Sequence, residues 1–239
     1  ENVAIGQQAL TADTKGNHST AVGHGALFAQ NFATSTDSHT TAVGFAAGAS
    51  VTTGVHNTIV GANAGDAFTD ADFNTALGSF ALSADTLGSR STALGFQALG
   101  VQNFTTATDA YNVAVGFNAG VSVTTGTVNT LIGGLAGDAL TTGDSNVVLG
   151  YNALSADTKG ARSVAIGRDA LKTQNFTTAT NSFNVAVGDR AGEAITTGLQ
   201  NTLIGALAGD ELTDADLNTA VGYFALGTDV LGGKSVAVG

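Results

Sequence analysis

Ser163-Val164-Ala165-Ile166-Gly167-Arg168-Asp169-Ala170 recurs in close variants along the whole 239-residue chain. Its glycine falls at Gly6, Gly23, Gly44, Gly61, Gly78, Gly95, Gly116, Gly133, Gly150, Gly167, Gly188, Gly205, Gly222 and Gly239. The spacing is constant along the chain except for three longer gaps, from Gly23 to Gly44, Gly95 to Gly116 and Gly167 to Gly188. From Gly23 onward one long gap followed by three short ones repeats three times, defining super-repeats 23–95, 95–167 and 167–239. A fixed short period marks a repeat architecture rather than a string of ordinary domains. Residues 1–239 therefore read as a single continuous solenoid segment, part of a longer fibre.

Columns through the repeats predict the structure of one coil. The residue before each anchor glycine is Ile, Val or Leu, and the residue two earlier is Val or Thr, as in Val3 and Ile5 or Thr58 and Val60. This alternation on a short segment predicts a β-strand. Ala stands three positions after the glycine (Ala9, Ala64, Ala170), while the two residues between them vary freely and read as exposed. A second glycine often follows later in the coil, as at Gly16, Gly54, Gly88, Gly126 and Gly160. It predicts a corner with positive φ, hence two short strands and two corners per coil. Directly after the Ala, coils carry Leu (Leu82, Leu99, Leu154) or Gly (Gly65, Gly137, Gly209). Three positions further on, the Leu coils carry Asp or Gln (Asp85, Gln102, Asp157) and the Gly coils a large apolar residue (Phe68, Leu140, Leu212). Such an exchange conserves the volume of a thin, close-packed interior.

Composition agrees and excludes several function classes. The chain has 33 Gly and no Pro, Cys, Met or Trp. A stacked parallel ladder needs all its N–H groups, which explains the missing Pro. Helical repeats are longer, and a glycine every few residues costs roughly 1 kcal/mol each in a helix. Charged residues make up 11% of the chain, against about 25% in globular proteins. The net charge of −11 argues against nucleic acid and anionic membrane as partners. The lack of Cys excludes disulfides and thiolate chemistry. No apolar run has membrane-span length, and the N-terminus carries no signal-peptide pattern.

The sequence SVAIGRDA at residues 163–170, with Asn2-Val3-Ala4-Ile5-Gly6-Gln7-Gln8-Ala9 and Ser235-Val236-Ala237-Val238-Gly239, resembles the head repeat of YadA-like trimeric autotransporter adhesins, written SVAIGxxA. The resemblance recurs in register over essentially the whole chain. It implies an all-β, left-handed parallel β-roll or β-solenoid, with three chains side by side as a homotrimer on a bacterial surface. Similar repeats occur in phage tail fibres and other extracellular fibres. The family's coils are usually shorter than those of this chain, and Thr replaces Val in many repeats here, as in Asn201-Thr202-Leu203-Ile204-Gly205. A physical argument also favours the trimer. Small coils bury little area against backbone entropy of about 1–2 kcal/mol per residue, and strands such as Asn129-Thr130-Leu131-Ile132-Gly133 read as apolar on both faces.

Candidate sites are few. The inserts of the long coils place Asn31-Phe32, Asn103-Phe104 and Asn175-Phe176 at one position of each super-repeat. An exposed Phe beside Asn and Thr would suit a glycan or protein contact. The plainer alternative, which we favour, folds the Phe back over the interior. Asp66, Asp70 and Asp72, with Asp138, Asp144, Asp210, Glu211, Asp214 and Asp216, mark acidic turns. Calcium there is the weaker reading against turn-capping carboxylates, because the spacing matches no calcium loop. His18, His24, His39 and His56 are not preserved one super-repeat on, where Arg90, Phe96, Tyr111 and Val128 take their places, so we assign no metal ligand and no cofactor. No Ser/His/Asp set recurs and no glycine lies in a phosphate-binding context, so no enzyme is expected.

The functional expectation is an adhesive and structural shaft or head of an extracellular trimeric fibre, binding a host-surface glycan or matrix protein. A phage tail-fibre segment and a passive extracellular filament without a receptor are the alternatives. Localisation would be the cell surface or a virion fibre, with no membrane insertion by this segment.

Overall fold

A computed structural model describes residues 1–239. The chain divides into two compact units, Glu1–Asn118 and Ala119–Gly239. Each is a parallel β-solenoid in which one coil contributes one three-residue strand. In the first unit the strands run Val3–Ile5, Thr20–Val22, Thr41–Val43, Thr58–Val60, Thr75–Leu77, Thr92–Leu94 and Val113–Val115, each paired in parallel with the next. In the second they run Thr130–Ile132, Val147–Leu149, Val164–Ile166, Val185–Val187, Thr202–Ile204, Thr219–Val221 and Val236–Val238 in the same way. Register follows the sequence period, so Thr58 pairs with Thr75, and Thr20 with Thr41 across the longer coil.

The middle residue of each strand points inward. Ile59, Ala76, Leu131, Val148 and Leu203 are wholly buried, with the Ala of each coil (Ala64, Ala81, Ala136) packed beside them. The expected exchange of volumes is present. Leu82, Leu99, Leu154 and Leu171 fill the interior of their coils, and Phe68, Leu140, Ile195 and Leu212 fill the others. A Cβ on Gly65 would lie 2.6 Å from the Phe68 ring, and one on Gly137 would lie 2.9 Å from both Leu131 and Leu140. Glycine there is the space that the large residue occupies.

Two expectations about the coil need correction. There is no second regular strand in most coils. Outside the main ladder, only two-residue bridges form, Gly16–Asn17 with Thr36–Asp37, Gly88–Ser89 with Thr108–Asp109, and Gly160–Ala161 with Thr180–Asn181. These lie at the inserts, where extra residues reach back to the preceding coil. Nor do the second glycines have positive φ. Gly88 is required because a Cβ there would run into the Asp85 carboxylate. Left-handed φ falls instead at other positions of the coil, many of them non-glycine, including Asn63, Phe73, Arg90 and Val128 at φ +53°, +58°, +63° and +58°.

A polar ladder runs beside the apolar core. Asn57 Oδ1 accepts the Asn74 backbone N–H at 2.9 Å, and its Nδ2 donates to the Ala71 carbonyl at 2.7 Å. Asn74 repeats this toward Ser91 and Gly88, and Asn146, Asn201 and Asn218 do so in the second unit. One buried amide thus satisfies a donor and an acceptor of the next coil. Where Ser interrupts the column, Gln takes over. Gln102 Nε2 donates to Asp85 Oδ2 and Ser91 Oγ, and its Oε1 accepts from Asn112 Nδ2 at 2.8 Å. Gln174 does the same with Asp157, Ser163 and Asn184. In the first super-repeat Thr40 replaces that Asn, and the buried Gln30 Oε1 has no donor.

At the anchor glycines successive coils touch backbone to backbone. Gly133 has φ +132°, and a Cβ on it would lie 2.5 Å from the Gly150 carbonyl oxygen of the next coil. Its neighbour Gly134 would place a Cβ 3.6 Å from Tyr151, in ordinary contact. Gly133→Ala should therefore destabilise the fold by roughly 2–3 kcal/mol or more, and Gly134→Ala by less than about 0.5 kcal/mol, read from denaturant midpoints. A second expectation follows from the orphaned Gln30 oxygen. Thr40→Asn supplies the missing donor and should stabilise by about 1 kcal/mol in the same measurement.

Candidate interaction surface

The outward face of the strands is uncovered. In the first unit it carries a column of Thr20, Thr41, Thr58, Thr75 and Thr92 beside a column of Val22, Val43, Val60, Leu77 and Leu94. Leu77 and Leu94 are each 40% exposed, as is Ile204 in the second unit. The apolar residues seen in sequence on both sides of the strand thus face two environments, a filled core and open surface. No concave pocket opens on the chain, so its surface chemistry lies in columns of side chains stacked at the coil spacing.

One column holds the left-handed corner residue that precedes each buried Asn, Ser or Thr. The rings of His18 and His39 stack at 5.1 Å, His39 and His56 at 5.2 Å, and His56 and Phe73 at 5.0 Å. Arg90 continues it, 4.9 Å over the Phe73 ring, and its Nε lies 2.9 Å from Asp109 Oδ1. A second column lies just past the anchor glycine, where the sequence varies most. It pairs His24 with Phe45 at 5.4 Å and Phe96 with Phe117 at 5.7 Å. One super-repeat on from Phe96 and Phe117, the same positions hold Arg168 and Asp189, while Tyr151 and Tyr223 keep rings at theirs. Arg168 grips Asp189 through two hydrogen bonds of 2.9 Å, Lys172 reaches Asp169 and Glu193, and Arg190 bonds Glu193. The Arg168–Asp189 pair, exposed on both sides, contributes little to stability.

The insert loops turn out to be anchored rather than presented. Phe32, Phe104 and Phe176 are buried at 5%, 6% and 6% exposure, so the reading of an exposed Phe contact is corrected and the folded-back arrangement holds. The Phe104 N–H donates to Asp85 Oδ1, and its carbonyl accepts from Thr86 Oγ1 at 2.8 Å. Asn31, Asn103 and Asn175 remain on the surface, each accepting from a Thr of the preceding coil (Thr14, Thr86, Thr158). Their amides and exposed insert residues such as Thr34, Thr105, Thr106 and Asp109 are left on the surface.

The acidic turns serve the backbone. Asp72 Oδ1 accepts the Val55 N–H at 2.7 Å, Asp144 that of Thr127 and Asp216 that of Leu199. Asp70 accepts from Thr53, and Asp214 from Thr196 and Thr197. These carboxylates are spent on tying each turn to the preceding coil, as a turn-capping role requires. Asp66, Asp138 and Asp210 are half-buried, and burial raises their carboxyl groups above the ordinary range.

Compared with family models, with curated proteins and with solved structures, the chain matches none. Its class rests on its own geometry, a parallel β-solenoid of 17-residue coils. No helix is long and apolar enough to cross a membrane.

Burial pushes the Asp85 carboxyl above its ordinary 3.8, against hydrogen bonds from Gln102, Phe104, Gly88 and Thr86 that pull it down. The folded chain therefore binds this proton at a pH where the unfolded chain has released it. Stability from Asp85 grows as pH falls through the raised value and is complete below the ordinary one. Asp85→Asn removes this titration while other groups cancel. The wild-type melting temperature minus that of the variant should increase as pH is lowered from 7 to about 4. A constant or shrinking difference contradicts the assignment.

Proposed function

We propose that the chain is a structural and adhesive segment of an extracellular trimeric fibre. The uncovered outward face of the strands carries this reading. Its paired columns, Thr or Val beside an aliphatic residue, repeat at every coil, and side-by-side copies would cover them along their length. Such association removes apolar area from water at about 25 cal/mol per Å² and shields a face that small coils cannot bury alone. The similarity of residues 163–170 to the SVAIGxxA head repeat supports the same arrangement. Adhesion rests on the aromatic side chains past the anchor glycines. Phe45, Tyr151 and Tyr223 are 57%, 58% and 73% exposed, and flat rings on a repeating scaffold suit glycan or matrix-protein surfaces. Many weak contacts at regular spacing then act together.

The mass in solution tests the assembly. Sedimentation should give three times the 23.5 kDa of one chain, and Leu77→Glu with Leu94→Glu should shift it to the single-chain mass. A monomeric wild type overturns the trimer. Beads coated with the chain should adhere to glycan- and matrix-coated surfaces, and less so after Phe45→Ala with Tyr151→Ala and Tyr223→Ala. A trimer that adheres to neither surface overturns the adhesive half of the reading.

A further inference from the structure

At the first long coil one corner concentrates metal-ligating groups. A ligand atom from each of His18, Asp37 and His39 lies within 4.8 Å of the others, and all three residues are exposed. His18 Nδ1 is 3.3 Å from Asp37 Oδ1, and its Nε2 is 3.8 Å from Glu1 Oε2. His18 and Asp37 belong to successive coils. The insert brings them together, because Thr36–Asp37 pairs with Gly16–Asn17. His18 and His39 then follow at left-handed corners, φ +59° and +48°.

The second long coil shows what this corner does elsewhere. At the corresponding positions Arg90 Nε lies 2.9 Å from Asp109 Oδ1, and the Tyr111 hydroxyl donates to Asp109 at 3.4 Å. There a guanidinium supplies the positive charge beside the carboxylate. At the first long coil the Asp37 carboxylate faces imidazole in place of that guanidinium. Neutral imidazoles with a carboxylate form the nitrogen and oxygen donor set of Zn²⁺ and its borderline neighbours. Ligands about 2.0–2.2 Å from a tetrahedral ion sit about 3.5 Å apart. Convergence on one ion requires the His18 and His39 rings to leave their 5.1 Å parallel stack, by rotation about terminal torsions that are soft.

We propose that His18, Asp37 and His39 bind one borderline divalent transition-metal ion, of the Zn²⁺ class, with water completing its coordination. The ion takes the electrostatic place that Arg90 fills one super-repeat later. Calorimetric titration of the intact chain with Zn²⁺ alone at neutral pH tests this, with Co²⁺ absorption reporting tetrahedral ligation. One saturable site is expected. The double variant His18→Arg/His39→Tyr carries the residues found at these corners one super-repeat later, so the coil is preserved, as an unchanged circular-dichroism melt will show. Loss of an outer-shell partner alone costs about 10–100-fold in metal affinity, so this variant and Asp37→Asn should each weaken Zn²⁺ binding at least about tenfold. His24→Ala, in the other column, should leave it unchanged. Absence of a saturable site in the wild type, or undiminished binding in the double variant, overturns the proposal.

Discussion

Backbone-to-backbone contact between consecutive coils is the constraint on which everything else in this protein depends. At anchors such as Gly133, the glycine of one coil lies against the carbonyl of the next so closely that a single methyl group has no room. Coils stacked at that distance must keep parallel register, so residues one period apart become neighbours. Thr58 meets Thr75 and Asn57 meets Asn74 because the chain has nowhere else to place them. A coil whose apolar interior is Ile59, Ala64, Phe68 and Ala71 has too small a core to stand alone, and stability comes from the stack.

Register also explains how polar groups are tolerated inside so narrow a core. Identical amides one above another can each accept from the coil ahead and donate further along it, as Asn57 and Asn74 do. The longer coil disturbs this pattern, and Asp85 with Gln102 repairs it by bracketing the insert and anchoring the Phe104 backbone. The repair leaves a carboxyl group buried with its ionised form disfavoured. The first super-repeat repairs less completely, since Thr40 is too short to reach Gln30 Oε1.

A scaffold specified this tightly leaves function to its corners. The same corner carries stacked imidazoles at His18 and His39, a guanidinium paired with a carboxylate at Arg90 and Asp109, and a guanidinium over a ring at Arg162 and Phe183. The position past the anchor exchanges an aromatic pair for an ion-pair network with no change in the strands beneath. Surface chemistry is thus free to diverge, while residues facing the core or the next coil are not.

Several features were open to direct reading. The glycine period, the inward Ala, the strand before each anchor and the exchange of Leu82 for Phe68-type residues follow from repetition alone, because stacking turns sequence spacing into spatial contact. Other features were not. Gly88 looked like a positive-φ corner, yet it is excluded volume beside Asp85, and the left-handed turns fall on residues such as Phe73 and Arg90 with no sequence mark. The direction of Phe104 depended on the Asp85 and Thr86 groups that hold its backbone. The approach of His18, Asp37 and His39 depended on an insert folding back to pair with Gly16–Asn17. Sequence by itself determined which residues stack on which, since that is set by the period. Only the tertiary structure decided which way a side chain turns within its coil, since that is set by local backbone angles and by the partners the neighbouring coil provides.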